Sequence, residues 1–175
     1  MLKDGLVRLA GEQQFTTAHF VSSQVNEQLI DRMAALEGVA RRVQPAILLS
    51  DDALQSFLEQ RPSFETLFNG GYFITDVHGT ALAYLPVSLG RVGVNYMDRD
   101  QVAGDLKDGK PHIGKPVIGK LLKTPVFSMA VPIFNGQRQI IGTLVGVIDL
   151  DRANFLDNIT HLRLREWCNG DEGSR

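Results

Sequence analysis

Few side chains in this chain carry chemistry at a spacing that lets them act together. The four histidines, His19, His78, His112 and His161, lie far apart and share no ligand spacing. Asp76 and His78 flank one turn, but two groups alone rarely hold a metal, so none is expected. Ser88 and Ser128 lack evident His–Asp partners, which leaves nucleophilic catalysis unsupported. Cys168 is the single cysteine. It rules out an internal disulfide framework and any cysteine cluster for zinc or iron–sulfur. What remains is charge. Between Lys107 and Lys123 five lysines accompany one acid, Asp108. That run reads either as a solvated hairpin whose lysines discourage edge pairing, or as a rim that draws small anions toward a pocket. Asp98-Arg99-Asp100 sits among Val94, Tyr96, Met97 and Val102, and Asp149-Leu150-Asp151 leaves two carboxylates at the end of an apolar run. The chemistry on offer is binding, with no cofactor and no enzymatic activity expected.

These residues must be positioned by ordinary elements, and the clearest is a hairpin over 126–149. Val126, Phe127, Met129, Val131, Ile133 and Phe134 form one strand, Asn135-Gly136-Gln137-Arg138-Gln139 a five-residue turn, and Ile140 to Leu150 the return. An Asn-Gly pair between β-branched runs is a strong hairpin signal. The second strand is apolar almost throughout, as a strand buried on both faces should be. Its Gly142 and Gly146 point to a close approach by a helix or a ligand.

Upstream, residues 12–44 carry a helical stripe through Ala18, Val25, Leu29, Met33, Leu36, Ala40 and Val43, with Pro45 as its stop. A helix of roughly thirty residues would be about 45 Å long. It reads either as a sheet-covering helix with frayed ends, or as one extending beyond the domain to pair with a second subunit or meet a membrane segment. Ser50 or Asp51 caps a short helix holding Leu54, Phe57 and Leu58. Tyr72 to Asp76 and Thr80 to Leu85 make a second hairpin. Residues 87–113 have no clean period, apart from a short helix near 98–106, and such long irregular stretches are often functional. Ile113 and Val117-Ile118 suggest an edge strand, because Pro111 and Pro116 forbid a central one. Asp151 opens a final helix through Phe155, Leu156, Ile159 and Leu162, and a polar tail follows.

The 175 residues suit one domain, 43 % apolar and with a net charge of only -2, so no polyanion partner is implied. Basic residues are not interleaved with aromatics on one face, which argues against nucleic acid. No stretch approaches about eighteen consecutive apolar residues, and the start has no signal-peptide core. The chain is therefore expected to be cytoplasmic or a fragment of something larger. The element order predicts an α+β fold: a five-stranded antiparallel sheet with a long N-terminal helix along it and a short C-terminal helix. The expected boundaries are a lead-in over 1–14, one domain over 15–162 and a tail over 163–175.

Four pieces in order resemble the Cache family of PAS-like extracytoplasmic sensor domains. They are the helix ending in Ala34-Ala35-Leu36-Glu37-Gly38-Val39-Ala40, the hairpin Tyr72-Phe73-Ile74-Thr75-Asp76-Val77-His78-Gly79-Thr80, the segment Gly93-Val94-Asn95-Tyr96-Met97-Asp98-Arg99-Asp100, and the stretch from Pro125 to Leu150. Together they cover roughly residues 15–160. The resemblance implies a single-lobed sensor, or the membrane-distal lobe of a larger receptor, on the periplasmic or extracellular side of an inner-membrane protein. A histidine kinase, diguanylate cyclase or chemotaxis module would be its output, and the N-terminal helix a possible homodimer contact. It also implies a small-molecule ligand, an amino acid, carboxylate or other small polar metabolite, held between the sheet and the 87–123 crossover. The alternative is a sensory or dimerisation module that docks another protein.

Members that bind amino acids use an arginine for the ligand carboxylate and an acid at the last strand for the amino group, and Arg99 and Asp149 match those places. The aromatic two residues past that arginine is missing, with Gln101 in its place, which counts against an amino-acid ligand. Tyr96, Met97 and Gln101, with Phe127 or Met129 from whichever strand face points inward, are the further lining candidates. The competing roles are a salt bridge from Arg99 to Asp98, Asp100 or Asp149, and a structural acid at Asp149.

Overall fold

The computed structural model describes residues 23–157. The chain divides into two units, one of residues 1–31 and 155–175 and one of Arg32–Asn154. The first contributes residues 23–31 of a helix and the short stretch 155–157. The expected extension of the helix back to residue 12, the part of the expected final helix beyond residue 157 and both terminal boundaries lie outside the described residues. Residues 151–156, where that helix is expected to open at Asp151, form turns and bends instead.

Helix α1 (residues 23–40) ends in a turn closed by Arg41 N–H to Glu37 O (3.1 Å) and Arg42 N–H to Val39 O (2.9 Å). It buries Leu36, Val39 and Ala40, and Val43 follows them into the core. Pro45, expected to stop α1, instead opens α2 (Pro45–Leu48) from its first turn. A missing N–H costs nothing there, and the ring presets φ. Helix α3 (Asp51–Glu59) is capped by Ser50, whose Oγ accepts from Ala53 N–H at 3.3 Å, with Asp51 and Asp52 in the first turn. It turns Leu54 and Leu58 inward. A fourth helix, α4 (Ser63–Leu67), follows it and buries Phe64.

One antiparallel sheet follows, built from β1 (Tyr72–Thr75), β2 (Ala81–Leu85), β3 (His112–Ile113), β4 (Val117–Ile118), β5 (Pro125–Phe134) and β6 (Ile140–Asp149), with helix α5 (Asp100–Asp108) in the crossover. The order is β2-β1-β6-β5-β3, and β4 pairs with the same edge of β5. The expected edge strand is thus two short pieces, broken at Gly114-Lys115-Pro116. Pro116 has no N–H to give a ladder, so a break there is the natural outcome. At the opposite edge the Gln55 side chain acts as a surrogate strand, donating to Tyr84 O (3.0 Å) and accepting from Tyr84 N–H (3.3 Å).

Strand β6 is central, and its register sorts every side chain to one of two faces. Tyr72, Gly146 and Met129 stand in line on one face, and Phe73, Val145 and Ala130 on the other. The first face takes the helices. A Cβ at Gly146 would overlap the Phe68 ring, and Phe64 meets Tyr72 edge-on at 5.3 Å. The close approach foreseen at the glycines of β6 is therefore protein packing. The second face carries Phe73, Tyr84, Val126, Ala130, Val145 and Val147 against Tyr96 and Val102 of the crossover. The β5–β6 turn is held by Asn135, whose Oδ1 accepts from Gln137 and Gln139 N–H, both at 2.9 Å. The left-handed residue in that turn is Arg138 (φ 59°), not Gly136.

Candidate functional site

The crossover is irregular but not loose. Tyr96 N–H bonds to Gly79 O (2.8 Å), Ala81 N–H to Val94 O (2.9 Å) and Val94 N–H to Arg91 O (2.9 Å). These bonds carry residues 91–96 alongside the start of β2. Asp76, considered above beside His78, is consumed in the adjoining turn, accepting from His78 N–H (2.8 Å) and Thr80 N–H (3.0 Å). No group of three or more His, Cys, Asp or Glu converges among the described residues.

Between this crossover and the second sheet face lies a cavity lined by Phe73, Val126, Ser128 and Val147 from the sheet, Arg91, Tyr96, Arg99 and Gln101 from the crossover, and the 117–122 segment. Its enclosed room is about 30 Å³, enough for one or two waters. The turn at 119–123 forms one wall, closed by Gly119 N–H to Thr124 O (2.9 Å) and Lys123 N–H to Gly119 O (3.1 Å). Lys120 Nζ crosses to Asp98 Oδ1 (2.7 Å) and Asn95 O (2.7 Å), and it stands 5.4 Å from the centre of the Tyr96 ring. Its hydrogen bond holds the Asp98 carboxyl below the usual carboxylate range.

Inside, Phe73 and Tyr96 lie ring on ring, 4.5 Å between centroids. Arg91 is 4 % exposed. Its Nη1 donates to Tyr96 OH (3.1 Å), its Nη2 to Gly70 O (3.0 Å), and its guanidinium sits 5.1 Å from the Phe73 centroid. Gln101, buried, donates through Nε2 to Ser128 Oγ. This ties α5 to β5 across the cavity and leaves no room for a side chain at Gly114, whose Cβ would collide with the Gln101 amide. Arg99 is half-buried and donates from Nη2 to Ile118 O at 3.1 Å.

The structure brings together Tyr96, Arg99 and Gln101 of the sequence candidates. The others fall elsewhere. Met97 is 44 % exposed and does not line the cavity. Phe127 and Met129 pair with Ile148 and Gly146 on the helix-covered face, so the inward residues of β5 are Val126 and Ser128. Asp149 is buried but also outside the lining. Its Oδ1 accepts from Thr124 Oγ1 and Asp151 N–H, both at 3.0 Å, and Arg152 Nε lies 3.4 Å from Oδ2. Asn69 braces the same residue, accepting from Asp149 N–H (2.7 Å) and donating to Asp149 O (3.1 Å). Asp149 thus terminates β6 rather than facing Arg99. Sequence reasoning missed Arg91, Phe73 and Ser128. A lone arginine between glycines gives no local signal, and only the partner Gly70, far back in the chain, marks it as buried.

A wider open groove of about 470 Å³ lies among Glu37, Ala40, Arg41, Gly109, Pro111, Val131, Pro132, Phe134 and Asn135. It has no buried polar side chain at its wall.

No protein-family model matches this chain, and no curated protein matches it. Solved structures do. The ligand-binding domain of the amino-acid chemoreceptor PctB from Pseudomonas aeruginosa PAO1, in complex with L-Arg, aligns with a TM-score of 0.67 at 20 % identity, over 80 % of this chain and 53 % of that one. An extracellular ligand-binding receptor from Desulfohalobium retbaense aligns with a TM-score of 0.65 at 16 % identity, over 77 % and 25 %. The sensor domain of DcuS from E. coli aligns with a TM-score of 0.53 at 18 % identity, over 75 % and 92 %. The chain shares its Cache-type, PAS-like fold with these sensor and ligand-binding domains. It spans between a quarter and about three-fifths of the first such receptor domains it matches.

Proposed function

We propose that this domain is the extracytoplasmic ligand-sensing part of a bacterial transmembrane signalling receptor, binding a small polar molecule between the sheet and the 87–123 crossover. The observation that carries this reading is the cluster of Arg91, Tyr96, Arg99 and Gln101 on an apolar floor of Phe73, Val126 and Val147. Few, convergent polar groups over an apolar surface are what small-molecule sites are made of. The likeness in fold to receptor ligand-binding domains supports it. No helix among the described residues is long and apolar enough to cross a membrane, so an anchor would lie elsewhere in the receptor. The cavity is narrow, and a ligand would enter by displacing the 119–123 turn, releasing Lys120 from Asp98 and Asn95. That step would favour an open or a closed crossover according to occupancy, and a shift of this kind is what a receptor transmits.

The test is a thermal-shift screen of amino acids, small carboxylates and amines, with Arg99→Ala as control. A ligand that raises the midpoint of the parent chain and binds Arg99→Ala more weakly supports the site. Unchanged affinity removes it. A second reading, a module that docks another protein, draws on the open groove beside Phe134, which is 41 % exposed. In that case no small molecule would shift the midpoint.

A further inference from the structure

Arg91 is enclosed in the cavity wall without a carboxylate. Among the described residues no ion pair reaches it, and its Nε–H finds no acceptor. A guanidinium taken out of water is costly unless an anion compensates it. Tyr96 OH and Gly70 O occupy one hydrogen on each Nη, leaving the Nε–H and the second hydrogens uncommitted. The rest of the lining has the same sign. Arg99 and Lys120 are its other ionisable side chains besides Tyr96, and no aspartate or glutamate belongs to it. Lys120 is neutralised by Asp98 outside the cavity, so the two arginines set the charge within.

Resting on the reading of this cavity as a ligand site, we propose that it takes a small carboxylate lacking an ammonium group, with Arg91 as the buried charge contact and Arg99 as the second. A guanidinium edge matches a planar carboxylate with two parallel hydrogen bonds. The room among Phe73, Tyr96, Val126 and Val147 is small, about 30 Å³, and admits a planar carboxylate group more readily than a bulkier tetrahedral one. An ammonium would face two guanidinium groups with no acid in the lining to receive it. Asp149, the acid otherwise expected there, is committed to Thr124, Asp151 and Arg152. Gln101 and Ser128, paired with each other, supply neutral polarity for the remainder of the molecule.

Titration calorimetry of the whole chain against propionate, succinate and glutarate, each matched by L-alanine, L-aspartate or L-glutamate, with inorganic phosphate as a further arm, tests this. At least one carboxylate should bind, and its amino-acid counterpart at least tenfold more weakly. Arg91→Lys, which keeps the charge but loses the fork, should weaken the carboxylate about 10- to 100-fold. Independently of whether that variant folds, the Arg91 Nε–H resonance of the parent chain should shift on adding the carboxylate. Amino acids or phosphate binding while carboxylates do not would overturn the proposal and leave a ligand site standing. Binding by none would overturn both. An unmoved Arg91 resonance alongside real carboxylate binding would overturn the role given to Arg91.

Discussion

Thr143 Oγ1 on β6 lies 2.7 Å from Asp105 Oδ2 on α5, and both residues are fully buried. The same hydroxyl is 2.9 Å from Val131 O. It has one proton and two oxygens that want it. Both contacts are satisfied together only when Asp105 carries a proton and donates to Thr143, which then donates to Val131. Asp105 Oδ1 has no partner, a poor setting for a full negative charge. Burial accordingly pushes the Asp105 carboxyl up to about 7, against the opposing pull of the Thr143 hydrogen bond and of His112.

Stability should therefore fall as pH rises through the acid range. Unfolded, Asp105 titrates near 3.9; folded, near 7. Between those values the native state holds a proton that the unfolded state has lost, so each unit of pH removes up to about 1.4 kcal/mol until the folded group ionises. Asp105→Asn, whose amide can donate to Thr143, should be more stable than the parent at pH 8 by a few kcal/mol at most, with the difference vanishing near pH 4. Denaturant unfolding at the two pH values checks this. An equal gain at both would mean that ionisation of Asp105 is not the cause.

Thr143→Val should cost about 1–3 kcal/mol, because it strands the buried Asp105 carboxyl and Val131 O together. The loss should be larger at pH 8 than at pH 5, where a protonated Asp105 needs less help. Thermal melts of the variant across that range measure it.

Gly146 has a packing partner rather than a ligand. Gly146→Ala should destabilise by about 1–3 kcal/mol through overlap with the Phe68 ring. Phe68→Leu combined with it should recover part of that loss. If the double variant is simply the sum of the two singles, the close approach is not what glycine serves there.

Asp149→Ala should lower the melting temperature by removing the acceptor of Thr124 Oγ1 and Asp151 N–H. It should leave the affinity for any ligand found in the screen within about threefold, since Asp149 is outside the cavity lining. A loss of binding without a loss of stability would put Asp149 back opposite Arg99.

Lys120→Ala should loosen the wall of the cavity. With the links to Asp98 and Asn95 gone, the Gly119 and Lys123 amides should exchange with solvent faster, while the β5–β6 amides stay protected. Native-state hydrogen exchange reads both in one experiment. Unchanged exchange at Gly119 and Lys123 would show that the turn holds itself shut.

Local chemistry wrote much of this fold. The β5–β6 hairpin needs only a turn held by Asn135 and two β-branched runs, all within about two dozen residues. The cap at Ser50 and the short crossover helix follow equally short-range rules, and each was legible, whereas the break at Pro116 that splits the expected edge strand was not. The site was legible only in part. Tyr96, Arg99 and Gln101 stand in one irregular stretch that its length and composition marked. Alternation, which normally tells the faces of a strand apart, is silent in β5 and β6 because both faces are buried, so Phe127 and Met129 could not be told from Val126 and Ser128.

The amino-acid order alone determined the class of this domain and where its strands and turns fall, because those depend on propensity, capping and proline geometry a few residues apart. Tertiary structure alone decided which charge is inside. Arg91 is buried by Gly70, Phe73 and Tyr96, brought together through the sheet and the crossover bonds, while Asp149 is drawn out of the cavity by Thr124 and Asn69. Burial of a charge is a property of what surrounds it in space, and nothing adjacent in the chain records it.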